Sequence, residues 1–168
     1  PKAVQDELNA GGMIMDVGAF NAGWGIEMLA RFPKSTGIFL EPSPEKCITI
    51  PKSFEASGIT NRTDLIPAGL ASKTGDAWLV RGADGSWADW LVYEDPGSEK
   101  DSVKVPTVNL DDALKGRVPT VIKSNSEGGE YDLVKQLIEK DLKPKMMILM
   151  VHPEMGDSVK LMSDLKEA

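Results

Sequence analysis

The stretch Met13-Ile14-Met15-Asp16-Val17-Gly18, followed by Ala19-Phe20-Asn21-Ala22-Gly23, constrains the fold more than any other part of the chain. An almost continuous apolar run closed by a glycine reads as a parallel strand buried on both faces. Small residues beyond it allow a sharp turn and a close ligand approach, and a helix opening there presents free N–H groups. Trp24, Met28, Leu29 and Phe32 fall on one face of that helix, with Trp24 expected in the core. Gly37-Ile38-Phe39-Leu40-Glu41 reads as a second strand ending on an acid. A carboxylate in that place accepts two hydrogen bonds from the vicinal hydroxyls of a ribose. Together these elements form a nucleoside-binding constellation, against the plainer reading of a tight turn with a surface glutamate.

Dinucleotide sites carry three spaced glycines that bring a pyrophosphate to the helix N-terminus. This turn offers Gly18 and then Ala22-Gly23, a looser match, and it places Asp16 before the first glycine. An acid there suits a cofactor with a cationic amino-acid end, such as S-adenosylmethionine. Methyl transfer is therefore favoured over hydride transfer from NAD.

The rest of the chain alternates short apolar runs with helical patterns, the signature of an α/β sheet with crossover helices. Val4 and Leu8 mark a first helix, and Ser43-Pro44-Glu45 opens another with a capping serine and proline at the first helical position. Further strands are expected at 64–68, 120–123 and 146–151, with extra, antiparallel strands at 77–81 and 103–110. Between those two lies a polar loop, 82–102, carrying Trp87, Trp90 and Tyr93 either to grip an acceptor or as a satellite core. Tyr131, Leu133, Val134, Leu137 and Ile138 form the stripe of a later helix, and Leu161, Met162 and Leu165 that of the last. Met13, Met15, Met146, Met147 and Met150 are assigned to buried strands.

Composition narrows the functions. Formal charge is −7, with 19 basic and 26 acidic residues, so the phosphate backbone of nucleic acid is a poor partner. No apolar run reaches the roughly 18–20 residues of a membrane span. No signal peptide is visible at Pro1 to Glu7, and the single cysteine, Cys47, suits a reducing, cytoplasmic setting. One histidine, His152, and one cysteine make no zinc cluster, and the carboxylate spacing demands no metal. At 168 residues the chain is read as a single domain, 1–168, and nothing in it specifies an oligomeric state.

Five segments, in order, resemble the FkbM family of methyltransferases. Asp16-Val17-Gly18-Ala19-Phe20-Asn21 looks like its first motif, and Glu41-Pro42-Ser43-Pro44-Glu45 is similar to its acid-Pro-Asn-Pro-Glu stretch. The segment 65–75, Leu-Ile-Pro-Ala-Gly-Leu-Ala-Ser-Lys-Thr-Gly, resembles the third-strand region, and 105–114 the family's Thr-Leu-Asp-Asp segment. Ile122-Lys123-Ser124-Asn125-Ser126-Glu127-Gly128-Gly129-Glu130 resembles its Lys-Ile-Asp-Val-Glu-Gly-Ala-Glu motif. The resemblance implies a Rossmann-like class I methyltransferase fold, a mostly parallel central sheet flanked by helices, with extra strands between core strands 3 and 4. It implies S-adenosylmethionine as donor and a hydroxyl of a small molecule or carbohydrate as acceptor. Asp16, Gly18, Ala19, Phe20 and Asn21 would line the methionine side of the cofactor. Glu41, followed by Pro42, would hold the ribose; Ala68 and Gly69 would lie beside the adenine; Lys123 to Glu127 would face the methyl group.

Three departures stand out. Asn125 replaces the family aspartate, and an amide cannot act as a base. The first turn is one residue longer, and the chain ends before the two strands that normally complete a seven-stranded sheet. The candidate catalytic residues are Glu127, Glu130, Lys123, Asn125 and His152. Glu127 and Glu130 are the expected bases and Lys123 an acceptor-positioning group, although acids at a helix start also complement the macrodipole. His152 is a further base candidate or a structural histidine. An inactive cofactor-binding module and an NAD-linked oxidoreductase are the competing readings.

Overall fold

The computed structural model describes residues 1–82, 89–98 and 100–167. Trp87 lies outside them. The core is a five-stranded parallel sheet of β1 (Met13–Val17), β2 (Thr36–Leu40), β3 (Thr63–Ile66), and two strands after a long insertion, at Val121–Ser124 and Met146–Leu149. Within the insertion come β4 (Gly69–Leu70), β5 (Gly75–Val80), β6 (Trp90–Val92) and β7 (Ser102–Val108), which makes the last two core strands β8 and β9. The spatial order of the core is β3-β2-β1-β8-β9, and the insertion forms a second sheet, β4-β7-β5-β6. This is the Rossmann-like architecture, with the extra strands between core strands 3 and 4.

Strand alternation explains the two-sided core. Ile14, Phe39 and Val121 pack with Val4 and Leu8 of α1 (Lys2–Asn9), Leu29 of α2 (Gly23–Arg31), and Ile50 and Phe54 of α3 (Pro44–Ala56). Their strand neighbours Met13, Met15, Ile38, Leu40 and Ile122 face the other way, onto α4 (Leu110–Leu114) and Leu133 and Leu137 of α5 (Gly129–Glu139). Sheets covered on both faces carry such unbroken apolar strands. A final helix, α6 (Ser158–Glu167), buries Leu161. Among the described residues no helix is long and apolar enough to cross a membrane.

Several local expectations change. The 82–102 segment contains β6, which pairs antiparallel with β5 from Trp78↔Val92 to Val80↔Trp90. Its Trp90-Leu91-Val92 core is too short for a periodic signal, and backbone pairing decides it. Leu110 belongs to α4, where the Asn109 side chain accepts the Asp112 N–H and caps the helix. At α3, the Ser43 hydroxyl bonds Glu45 and caps no backbone group. Met146 and Met147 are only half buried and Met150 is 56% exposed, because β9 is the sheet's edge. Trp24 is half buried at the sheet's carboxyl edge. Tyr93 is 61% exposed, and burial of its hydroxyl together with a hydrogen bond to Asp132 raises its pKa.

On α5 the buried stripe admits Gln136 and leaves Ile138 39% exposed. The Gln136 amide accepts the Leu110 N–H at 2.8 Å and donates to Ala71 O at 3.0 Å, tying α5 to α4 and to the start of the insertion. We expect Gln136→Leu to cost about 1–3 kcal/mol in a denaturant titration, since it strands buried backbone groups. Wild-type stability in that variant would contradict the role.

Candidate functional site

Core strand order reverses direction at β1, where the chain crosses from β3 through the insertion to β8. Open α/β sheets bind ligands at the carboxyl ends of the strands at such a switch. A cavity of about 390 Å³ opens there, within the range of small-molecule sites. Gly18, Ala19, Phe20, Asn21, Glu41, Pro42, Ala68, Gly69, Lys123, Asn125 and Glu127 all line it. Asp16, Glu130 and His152 stand behind that lining.

The first turn is pinned to β2, with the Gly18 and Ala19 N–H groups both donating to Leu40 O, at 3.0 and 2.9 Å. Phe20 and Ala22 adopt φ values of 57° and 60°, left-handed backbone that persists only when its surroundings hold it. One such hold is Glu41. Its Oε2 accepts the Phe20 N–H at 2.7 Å and its Oε1 the Ser43 N–H at 2.9 Å. Glu41 is only 4% exposed, and burial pushes its carboxyl above the usual range despite these bonds and the nearby Lys46 ammonium. Each oxygen keeps a lone pair for a further donor. At α2 the Gly23 N–H is already given to Asn21 Oδ1 at 2.9 Å.

Asp16 and Lys123 are register partners in adjacent strands, so their side chains share a face. The Lys123 ammonium lies 2.9 Å from Asp16 Oδ1 and donates to Gly18 O at 3.0 Å. The carboxylate contact is an ion pair without good hydrogen-bond alignment. Asp16 is fully buried, and Lys123 stands between it and the solvent side of the cavity. Asn125 donates its N–H to Val17 O at 3.0 Å, while its buried side-chain oxygen, Oδ1, has no hydrogen-bond partner.

Glu127, with φ 47°, and Gly128, with φ 104°, are consecutive left-handed residues at the start of α5. Glu127 Oε1 sits 3.2 Å from His152 Nε2, and His152 Nδ1 sits 2.9 Å from Glu130 Oε1. Cys47 is no nucleophile candidate: its thiol donates to Glu41 O at 3.0 Å, and burial raises its pKa to about 11.

Sequence reasoning missed Trp24, Lys46, Leu79, Asp89 and Leu91, which also line the cavity. Lys46 Nζ lies 4.7 Å from the Phe20 ring centroid and 3.1 Å from Asp89 Oδ2, joining α3, the first turn and the insertion. Position alone could have flagged Lys46, in the first turn of the helix after Glu41. Asp89 and Leu91 come from the second sheet, and no local pattern announces that contact.

The precorrin-6y C5,15-methyltransferase from Geobacter metallireducens GS-15 superposes with a TM-score of 0.55 at 13% identity, over 97% of this chain and 70% of that one. The StiE O-MT segment matches with a TM-score of 0.46 at 11% identity, over 82% of this chain and 39% of its own. An RNA methyltransferase from Salinibacter ruber, in complex with S-adenosyl-L-homocysteine, matches over 40% of this chain and 47% of its own, with 14% identity and a TM-score of 0.33. At such identities likeness speaks for the fold alone. No curated protein matches the sequence. The methyltransferase FkbM domain, however, matches residues 16–167, from the first strand to the last helix, and the chain belongs to that family.

Proposed function

We propose that residues 1–168 form one methyltransferase domain whose cavity holds S-adenosylmethionine and which methylates a hydroxyl of a small molecule or sugar. The observation that carries this reading is a pair of buried acceptors from two loops of one cavity, Glu41 and the partnerless Asn125 Oδ1. Glu41, with a free lone pair on each oxygen, suits ribose hydroxyls. Asn125 Oδ1 suits an N–H donor such as the cofactor's ammonium, a role that an amide fills and that needs no base. Ala68, Gly69, Leu70, Leu79 and Leu91 supply apolar wall for a nucleobase. Asp16 serves from beneath, by holding Lys123. When bound, the cofactor supplies an electrophilic methyl group on a sulfonium.

The chain's own task is then alignment, since holding the acceptor oxygen about 3 Å from the methyl carbon supplies much of the acceleration. Of the carboxylates lining the cavity, Glu41 is held by two backbone N–H groups and Asp89 by Lys46, so Glu127 is our candidate to take the hydroxyl proton. An NAD-linked reaction fits less well, because Asn21 already takes the first amide of α2, one of those a pyrophosphate would meet there. Asn125 in place of an acid favours, as a second reading, a module that binds the cofactor without turnover.

Incubation with methyl-labelled donor and a panel of sugars and small alcohols tests the reading. A labelled methyl ether supports it. Donor binding with no product across the panel favours the inactive module.

A further inference from the structure

Glu127, His152 and Glu130 form a chain of contacts running from the cavity wall into the protein. Only Glu127 lines the cavity; His152 is 9% exposed and Glu130 is 0% exposed. Glu130 behaves as an anchor. Its Oε1 lies 2.9 Å from His152 Nδ1 and accepts the His152 backbone N–H at 2.8 Å, while its Oε2 accepts the Gly128 N–H at 3.0 Å. The Tyr131 hydroxyl adds a bond to His152 O at 2.9 Å. These bonds fix the imidazole, and in its doubly protonated form Nδ1 donates to Glu130 while Nε2, 3.2 Å from Glu127 Oε1, donates to that carboxylate. Glu127 itself sits in left-handed backbone, which costs a residue with a Cβ roughly 1–2 kcal/mol. Such strain persists where surrounding contacts over-determine it, and it clusters at functional sites.

We propose that His152 and Glu130 are positioning residues that hold the Glu127 carboxylate in the cavity as the acceptor of the substrate hydroxyl proton. The inference rests on the methyl-transfer reading above and adds the device that makes Glu127 serviceable. His152 acts through Glu127, because its ring does not line the cavity. In the reaction the acceptor's O–H pair becomes the new O–C bond, its proton passes to Glu127, and the carbon–sulfur pair stays with sulfur. The charged groups against the ring nitrogens are Glu127 from the loop and Glu130 from α5; Tyr131 bonds the His152 carbonyl, Glu154 and Asp157 act on the Tyr131 hydroxyl, and Lys123 faces the same cavity.

Because the chain has one histidine, its ring signals are unambiguous in a ¹⁵N-histidine NMR spectrum. Glu127→Gln should move the Nε2 signal, and Glu130→Gln the Nδ1 signal. Ring signals indifferent to Glu127→Gln overturn the proposal. In turnover, His152→Ala should lower kcat by about 100-fold, the scale of a misplaced catalytic group, at unchanged affinity for S-adenosylhomocysteine. His152→Gln, which keeps an amide donor for Glu127, should recover most of that loss. Unchanged kcat in His152→Ala, or a parallel loss of S-adenosylhomocysteine affinity, also overturns it. Wild-type protein that fails to bind S-adenosylhomocysteine removes the methyltransferase reading itself, and the NMR result then reports on the contacts alone.

Discussion

Gly18→Ala should destabilise the protein by about 2–5 kcal/mol, the sum of a left-handed alanine and an overpacked contact. Gly18 has φ +70°, and a Cβ built there meets Asn125 O at 2.0 Å and Asn125 C at 2.8 Å. Neither side can withdraw cheaply. Asn125 is bonded through its N–H to Val17 O, and Gly18 is held by Leu40 O and by the Lys123 ammonium. At roughly 2–4 °C per kcal/mol for a domain of this size, the melting temperature should fall by about 10 °C. Gly58→Ala is the internal control, since Gly58 has φ +67° and nothing within 4 Å of the added Cβ. It carries the backbone cost alone, so equal losses in the two variants would contradict the close contact. The glycine of the first motif is thus needed by the chain itself, to let the loop after β8 lie against the loop after β1.

Glu41→Gln should have the largest effect on ligand binding. A glutamine turns one acceptor into a donor facing a backbone N–H, stranding either Phe20 or Ser43 at about 1–3 kcal/mol. It also removes a charged acceptor from the cavity, worth about 1.5–3 kcal/mol per hydrogen bond, or roughly ten- to a hundredfold in affinity for S-adenosylhomocysteine. The pH dependence has a definite sign. Burial raises the folded-state pKa of Glu41, so its contribution to stability is full below the ordinary carboxylate range and is lost as pH rises through the elevated value. The wild-type advantage over Glu41→Gln should therefore narrow as pH rises from about 4 to 7 in denaturant titrations. A widening advantage would mean that the two N–H bonds and Lys46 outweigh burial.

What could be read from the sequence follows from where the information is local. Met13 to Val17 and Gly37 to Leu40 are strand residues buried on both faces, and their largely apolar character points to a parallel sheet without any partner being known. The site residues at strand ends, Gly18 to Asn21, Glu41-Pro42 and Lys123 to Glu127, inherit their place from that periodicity. Asp16 interrupts that apolar run, yet the strand register buries it beside Lys123, whose ammonium pairs with it. Contacts between distant segments are silent in the sequence. Gln136 breaks an apolar stripe because backbone groups of Leu110 and Ala71 need it, and Lys46 meets Asp89 only once the second sheet folds over α3. Glu127, Glu130 and His152 were legible as separate candidates; their order, from cavity wall to anchor, depends on the left-handed turn at Glu127-Gly128.

The most direct test of the central claim, that this cavity is built for a sulfonium nucleoside, is calorimetric titration of the wild type and Glu41→Ala with S-adenosylmethionine and S-adenosylhomocysteine, with NAD as the comparison ligand. The account predicts that both adenosyl ligands bind the wild type, that NAD does not, and that Glu41→Ala loses them. Binding of NAD alone, or adenosyl-ligand affinity indifferent to Glu41→Ala, would contradict it.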